Sequence, residues 1–102
     1  MKTIDRNNIS DNEKKYNVLI VEDDQTTRDL LKLFVSEDSY ATEVSSGEDA
    51  VEFAKERQFD AVLMDISLNG INGLNATKII RQIPCYANTP IIAVTAFAMR
   101  GD

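Results

Sequence analysis

The run Val18-Leu19-Ile20-Val21, followed at once by Glu22-Asp23-Asp24, is the feature that most restricts the fold. Four consecutive apolar, mostly β-branched residues leave no polar side, so a strand built from them must be covered on both faces. Residues 25–37 then carry Leu30, Leu31, Phe34 and Val35 at helical spacing, which predicts a helix burying that stripe. The alternation repeats. Residues 40–44 read as a less apolar strand at a sheet edge, because Thr42 and Glu43 interrupt it. Ser46 is a candidate helix cap with Asp49 three residues on, and Ala50, Val51 and Ala54 form the apolar stripe that follows. Residues 59–64 predict a third strand ending at Asp65, and Gly70 and Gly73 punctuate the next loop. A third helix is predicted over 74–83, with Ile79, Ile80 and Ile83 on its buried side and Pro84 closing it. Pro90 precedes a fourth strand, 91–94, which ends at Thr95. A β-α-β-α-β-α-β order predicts an α/β fold: a parallel sheet with right-handed crossovers and helices on both faces.

Residues 1–15 differ in texture. They are polar, with only Ile4 and Ile9 as larger aliphatics after Met1, and predict a flexible N-terminal extension to a domain over 16–102. No apolar stretch suggests a signal peptide or a membrane span. A cytoplasmic setting fits, with Cys85 as a free thiol in a helix-to-strand connection. With no His and a single Cys, a Cys/His zinc site, an internal disulfide and a His-based catalytic triad are all excluded. The 17 acidic and 11 basic residues give a net charge of −6, which argues against broad binding to a nucleic-acid backbone.

Function in parallel sheets of this type sits at the C-terminal strand ends. The first strand delivers Glu22 and Asp23 there, the third delivers Asp65, and the fourth delivers Thr95. If the first and third strands are neighbours, about 4.8 Å apart, their carboxylates converge. Clustered carboxylates repel and call for a counter-charge. Oxygen ligands with room for water describe Mg²⁺ (or Mn²⁺) better than Zn²⁺. A carboxylate beside such a cation can attack phosphorus to give an aspartyl phosphate, and Thr95 could hydrogen-bond another phosphoryl oxygen. Asp65 is the best nucleophile candidate, since it stands at the end of a buried strand before a Gly-containing loop.

The segments Val18-Leu19-Ile20-Val21-Glu22-Asp23-Asp24, Ala61-Val62-Leu63-Met64-Asp65-Ile66, Gly70-Ile71-Asn72-Gly73-Leu74 and Pro90-Ile91-Ile92-Ala93-Val94-Thr95-Ala96 resemble the receiver domain of two-component response regulators. The resemblance runs from about Tyr16 to the last residue. It implies a flavodoxin-like sheet of order 2-1-3-4-5, a phosphoacceptor Asp served by a histidine kinase or phosphotransfer protein, and Mg²⁺. Asp65 then resembles the phosphoacceptor, and Glu22 and Asp23 the acidic pair that holds the metal directly or through water. Ser67 would offer its backbone carbonyl to the metal. Thr95 resembles the switch hydroxyl, and Ala96 the small residue that leaves access to the site. The ending Thr95-Ala96-Phe97-Ala98-Met99 is similar to receivers attached to hybrid sensor kinases.

Two departures bear on these expectations. Asn69 stands where the family usually has Pro, which predicts a looser but formed loop. The family also continues through a fourth helix, a fifth strand carrying a Lys near the phosphoryl group, and a fifth helix, whereas this sequence ends at Asp102. It therefore reads as a truncated receiver of strand order 2-1-3-4, lacking the fifth strand, the fifth helix and most of the fourth. Neither Lys55 nor Lys78 is placed to replace the missing Lys, and phosphorylation is expected to be slow or absent. An open fourth strand predicts a homo-oligomer that pairs near it or exchanges elements. A degenerate receiver that only docks to partners is the alternative. More remotely, Glu22-Asp23-Asp24-Gln25-Thr26 approaches the Asp-x-Asp-x-Thr motif of haloacid-dehalogenase-like hydrolases, with Glu at the nucleophile position. Gly70-Ile71-Asn72-Gly73 does not fit a phosphate-cradling P-loop.

Overall fold

A computed structural model describes residues 15–35, 37–66 and 72–94. The elements follow the order β1 (Tyr16–Val21), α1 (Gln25–Phe34), β2 (Ser39–Val44), α2 (Gly47–Glu56), β3 (Ala61–Asp65), α3 (Gly73–Arg81), a 3₁₀ turn (Pro84–Tyr86) and β4 (Ile91–Val94). All strand pairs are parallel, in the spatial order β2-β1-β3-β4. The four-residue apolar run lies in β1, inside the sheet. Leu19 and Val21 join α2 and α3 in one core, while Val18 and Ile20 meet Leu31 of α1 on the opposite face. The helices therefore cover both faces, as a strand with no polar side requires. No helix among the described residues is long and apolar enough to cross a membrane.

The helix starts follow side-chain capping. Asp24, Ser46 and Asn72 stand before α1, α2 and α3, and each accepts a hydrogen bond from the backbone N–H three residues on. Only the Ser46 cap was legible as such. The expected ends need correction. α1 stops at Phe34 instead of residue 37, because Val35 turns extended (φ −85°, ψ 133°) and packs against the Val18–Ile20 side of the sheet. Its buried face is also narrower than the stripe suggested: Leu31 is buried, whereas Leu30 and Phe34 are exposed, Phe34 by 74%. α3 begins one residue early, at Gly73, and ends at Arg81, not Ile83. Of its expected buried isoleucines, Ile80 is buried, Ile83 is partly buried against the same core, and Ile79 is more than a third exposed.

The third strand is shifted from residues 59–64 to Ala61–Asp65, so the acid is itself in the ladder, paired with Val94. Phe59 packs before the strand begins. Its N–H donates to the buried Tyr86 hydroxyl (3.0 Å), which in turn donates to the Arg57 carbonyl (2.6 Å). Pro84 opens the 3₁₀ turn, and Arg81 secures the connection by donating to the carbonyls of Tyr86 (2.7 Å) and Thr89 (2.6 Å). Cys85 is an exposed free thiol on that turn. β4 matches its expected span, and among the described residues it pairs with β3 alone. The expected extension, apart from Lys15, lies outside the described residues, as does the loop containing Asn69 and Gly70.

Candidate metal and phosphoacceptor site

Parallel register brings the acids together. β1 pairs with β3 through Val21 and Met64, so one step further along each chain places Glu22 beside Asp65. Both acids are held by ladder contacts at the same sheet end. The Glu22 N–H donates to the Val44 carbonyl (3.1 Å), and the Ile66 N–H, just past Asp65, donates to the Val94 carbonyl (3.2 Å). Asp23 follows on the turn into α1. Each of Glu22, Asp23 and Asp65 can present one carboxylate oxygen such that all three lie within 4.8 Å of one another. Glu22 and Asp65 are each 2% exposed, whereas Asp23 is open to solvent. The site is thus two buried carboxylates with a third at its mouth.

The electrostatics follow from burial. Desolvation, reinforced by the charge of Asp65, pushes the Glu22 carboxyl up to about 7, although the Asp24 N–H donating to Glu22 Oε2 (3.1 Å) works against the rise. The other oxygen, Glu22 Oε1, is buried and meets no donor among the described residues. The neighbouring carboxylates could meet it only by sharing a proton. Arg28 is nearby, but its Nη1 donates to the Glu22 backbone carbonyl (2.7 Å), and its Nε faces Glu43 (3.4 Å). Its charge is directed to the backbone and to β2, away from the carboxylate cluster.

A divalent cation fits this donor set. The ligands are hard oxygens, one buried oxygen lacks a partner among the described residues, and the exposed side at Asp23 leaves room for coordinated water. Glu22, Asp23 and Asp65 would hold it. Asp24 is not part of the cluster: its carboxylate caps α1, accepting from the Thr27 N–H and hydroxyl at 2.8 Å each. That use removes the second acid on which a haloacid-dehalogenase-like reading depends. Lys55 lies along the exposed side of α2, 3.9 Å from Glu52. Thr95, Ala96 and Ser67 lie outside the described residues.

Two neighbours of the site were missed in the sequence. Arg28 gave no signal beyond its place one turn into a helix. Gly73 registered as loop punctuation, yet it is a buried helix-start residue packed on the backbone of Asp65 and Ile66. The hydrogen-bonding residue Asn72 just before a Gly was the available cue.

Comparison with known proteins agrees with this geometry. A family model described as the response regulator receiver domain matches residues 18–102. The polar-differentiation response regulator DivK of Brucella ovis is 40% identical over 86 residues, covering 83% of this chain and 70% of that protein. The crystal structure of the receiver domain of a sensor histidine kinase from Pseudomonas aeruginosa, with magnesium coordinated in its active site cleft, superimposes with a TM-score of 0.76. It is 35% identical and covers 86% of this chain and 73% of its own. A response regulator structure from Chloroflexus aurantiacus gives a TM-score of 0.73 at 32% identity, covering 78% of this chain and 66% of that one.

Proposed function

The chain belongs to the response regulator receiver domain family, and from that membership we propose that it is a phosphorelay receiver that accepts a phosphoryl group on Asp65. The donor would be a histidine kinase or phosphotransfer protein, and Glu22, Asp23 and Asp65 would hold Mg²⁺ (or Mn²⁺). The observation that carries the proposal is the meeting of three carboxylates at one sheet end, with a buried Glu22 oxygen that meets no donor among the described residues.

When bound, the cation would offset the charge of the carboxylates and of the arriving phosphoryl oxygens. Asp65 is the nucleophile. One carboxylate oxygen forms a bond to phosphorus as the phosphorus–nitrogen bond of the donor histidine breaks, and the electron pair stays on the imidazole. Its place in the β3 ladder fixes the backbone that bears the carboxylate before the phosphoryl group arrives, which lowers the cost of orientation. Asp23, at the open side, would hold the cation where water can reach it. Thr95 would hydrogen-bond a phosphoryl oxygen, Ala96 would keep the approach open, and the Ser67 carbonyl would complete the metal shell. The role is that of a cytoplasmic signalling receiver and not of an enzyme with a separate substrate. Pairing of two chains near β4 belongs to the same proposal, supported by the half-exposed Ile92 on that strand.

Incubation with a small acyl phosphate, with and without Mg²⁺, followed by intact mass and peptide mapping, tests it. The expected result is Mg²⁺-dependent addition of one phosphoryl group on Asp65. A folded, Mg²⁺-binding chain that stays unmodified would instead favour a docking-only receiver.

A further inference from the structure

Asp65 can serve as ligand and nucleophile only if the end of β3 is held in one position. One side of that end is fixed by the ladder to β4, through Asp65 opposite Val94 and the Ile66 N–H on the Val94 carbonyl. The other side faces Gly73, the first residue of α3, which is buried. A methyl group added at Gly73 would lie 2.6 Å from Ile66 Cα and 2.8 Å from the Asp65 carbonyl carbon, and closer still to the Asp65 carbonyl oxygen. All of these are backbone atoms, so no flexible side chain can swing aside. Ordinary van der Waals contact begins near 3.4 Å, a shortfall of about 0.8 Å at the Ile66 Cα. The remaining accommodation is displacement of the strand end or of the helix start. α3 resists that displacement, because Ala76 and Ile80 are wholly buried against the sheet and Asn72 Oδ1 holds the helix start through the Asn75 N–H (2.9 Å).

We propose that Gly73 is a positioning residue: its lack of a side chain lets the first residue of α3 press on the Asp65–Ile66 backbone and so fixes the Asp65 carboxylate against Glu22 and Asp23. This rests on the metal-binding role proposed above. The scale of the effect favours it. Mg²⁺ demands near-ideal octahedral geometry with oxygen at about 2.0–2.1 Å, so a shift of several tenths of an ångström in one ligand is large beside its tolerance. Perturbing groups that orient metal ligands commonly costs about 10- to 100-fold in affinity.

Calorimetric Mg²⁺ titration of the unmodified chain, Gly73→Ala and Ala76→Gly tests the proposal. Ala76→Gly weakens the same helix through lost burial and helix propensity, and adds no atom against the Asp65–Ile66 backbone. At a temperature where circular dichroism shows the proteins folded, Gly73→Ala is expected to bind Mg²⁺ about 10- to 100-fold more weakly, with Ala76→Gly close to the unmodified chain. Where Gly73→Ala is only partly folded, the Mg²⁺ dependence of its unfolding midpoint takes the place of calorimetry. Positioning flattens that dependence, whereas a purely structural role leaves its slope unchanged and overturns the proposal. Equal Mg²⁺ affinity in all three proteins overturns the proposal alone. Absence of binding to the unmodified chain overturns the metal-site reading and this proposal with it. A Gly73→Ala chain unfolded at every Mg²⁺ concentration would also overturn it, since the close approach would then serve the whole fold.

Discussion

Replacing Glu22 with Gln keeps the shape of the side chain and removes the charge that the buried site holds least comfortably. In the folded chain the Glu22 carboxyl is raised from about 4.5 to about 7 by burial and by Asp65. A raised carboxyl favours the protonated form on folding. Its contribution to stability is therefore full below about pH 4.5 and lost as pH rises through about 7. At about 1.36 kcal/mol per unit, the loss approaches about 3 kcal/mol above that range in metal-free protein. Glu22→Gln has no such proton to lose, and its amide can donate to a neighbouring carboxylate. Urea denaturation in the presence of a chelator, at about pH 5 and about pH 8, is the assay. The variant is expected to be close to the unmodified chain at the lower pH and more stable by up to about 3 kcal/mol at the higher one. Saturating Mg²⁺ should then narrow or reverse the difference, since ligand at 100 times its dissociation constant adds about 2.7 kcal/mol to the protein that binds it. A Glu22→Gln chain that is less stable at the higher pH without metal, or that gains as much from Mg²⁺, would show that the buried Glu22 charge neither costs stability nor holds the cation.

Asp65→Asn should abolish phosphoryl acceptance and weaken Mg²⁺ binding while leaving the circular dichroism spectrum intact, which intact mass and calorimetry would check. Tyr86→Phe removes a hydroxyl that both accepts from Phe59 and donates to Arg57, leaving a buried N–H unpaired. A loss of about 1–3 kcal/mol in denaturant titration is expected, with Mg²⁺ affinity unchanged. Static light scattering is expected to find concentration-dependent pairing that Ile92→Glu prevents; a monomer for the unmodified chain at micromolar concentration would remove the β4 pairing.

How far the fold could be read in advance depended on how many faces each segment had to bury. Val18 to Val21 had one solution, an inner strand, and the acids after it fell at the functional end of the sheet. Asp65 was legible for the same reason: an acid directly after Ala61-Val62-Leu63-Met64 leaves a buried ladder at its exit. The boundaries were harder. Leu30, Leu31 and Phe34 share a helical stripe, but only Leu31 of the three is buried, because the position of a neighbouring layer is not encoded in the period of one helix. Val35 ends α1 by turning into the core, a tertiary choice that local propensity does not announce. Gly73 illustrates the same limit. A glycine in a loop and a glycine under a strand end look alike until both backbones are in place.

Glu22, Asp23 and Asp65 are proposed to act as one divalent-cation site. Titrating Mg²⁺ into isotopically labelled protein while following the backbone amide resonances measures this directly. Saturable binding of one ion per chain is expected, with the largest shifts at residues 22, 23, 65 and 66 and weakened binding in Asp23→Asn and in Asp65→Asn. Resonances that do not respond at millimolar Mg²⁺, or that respond equally in those variants, would contradict it.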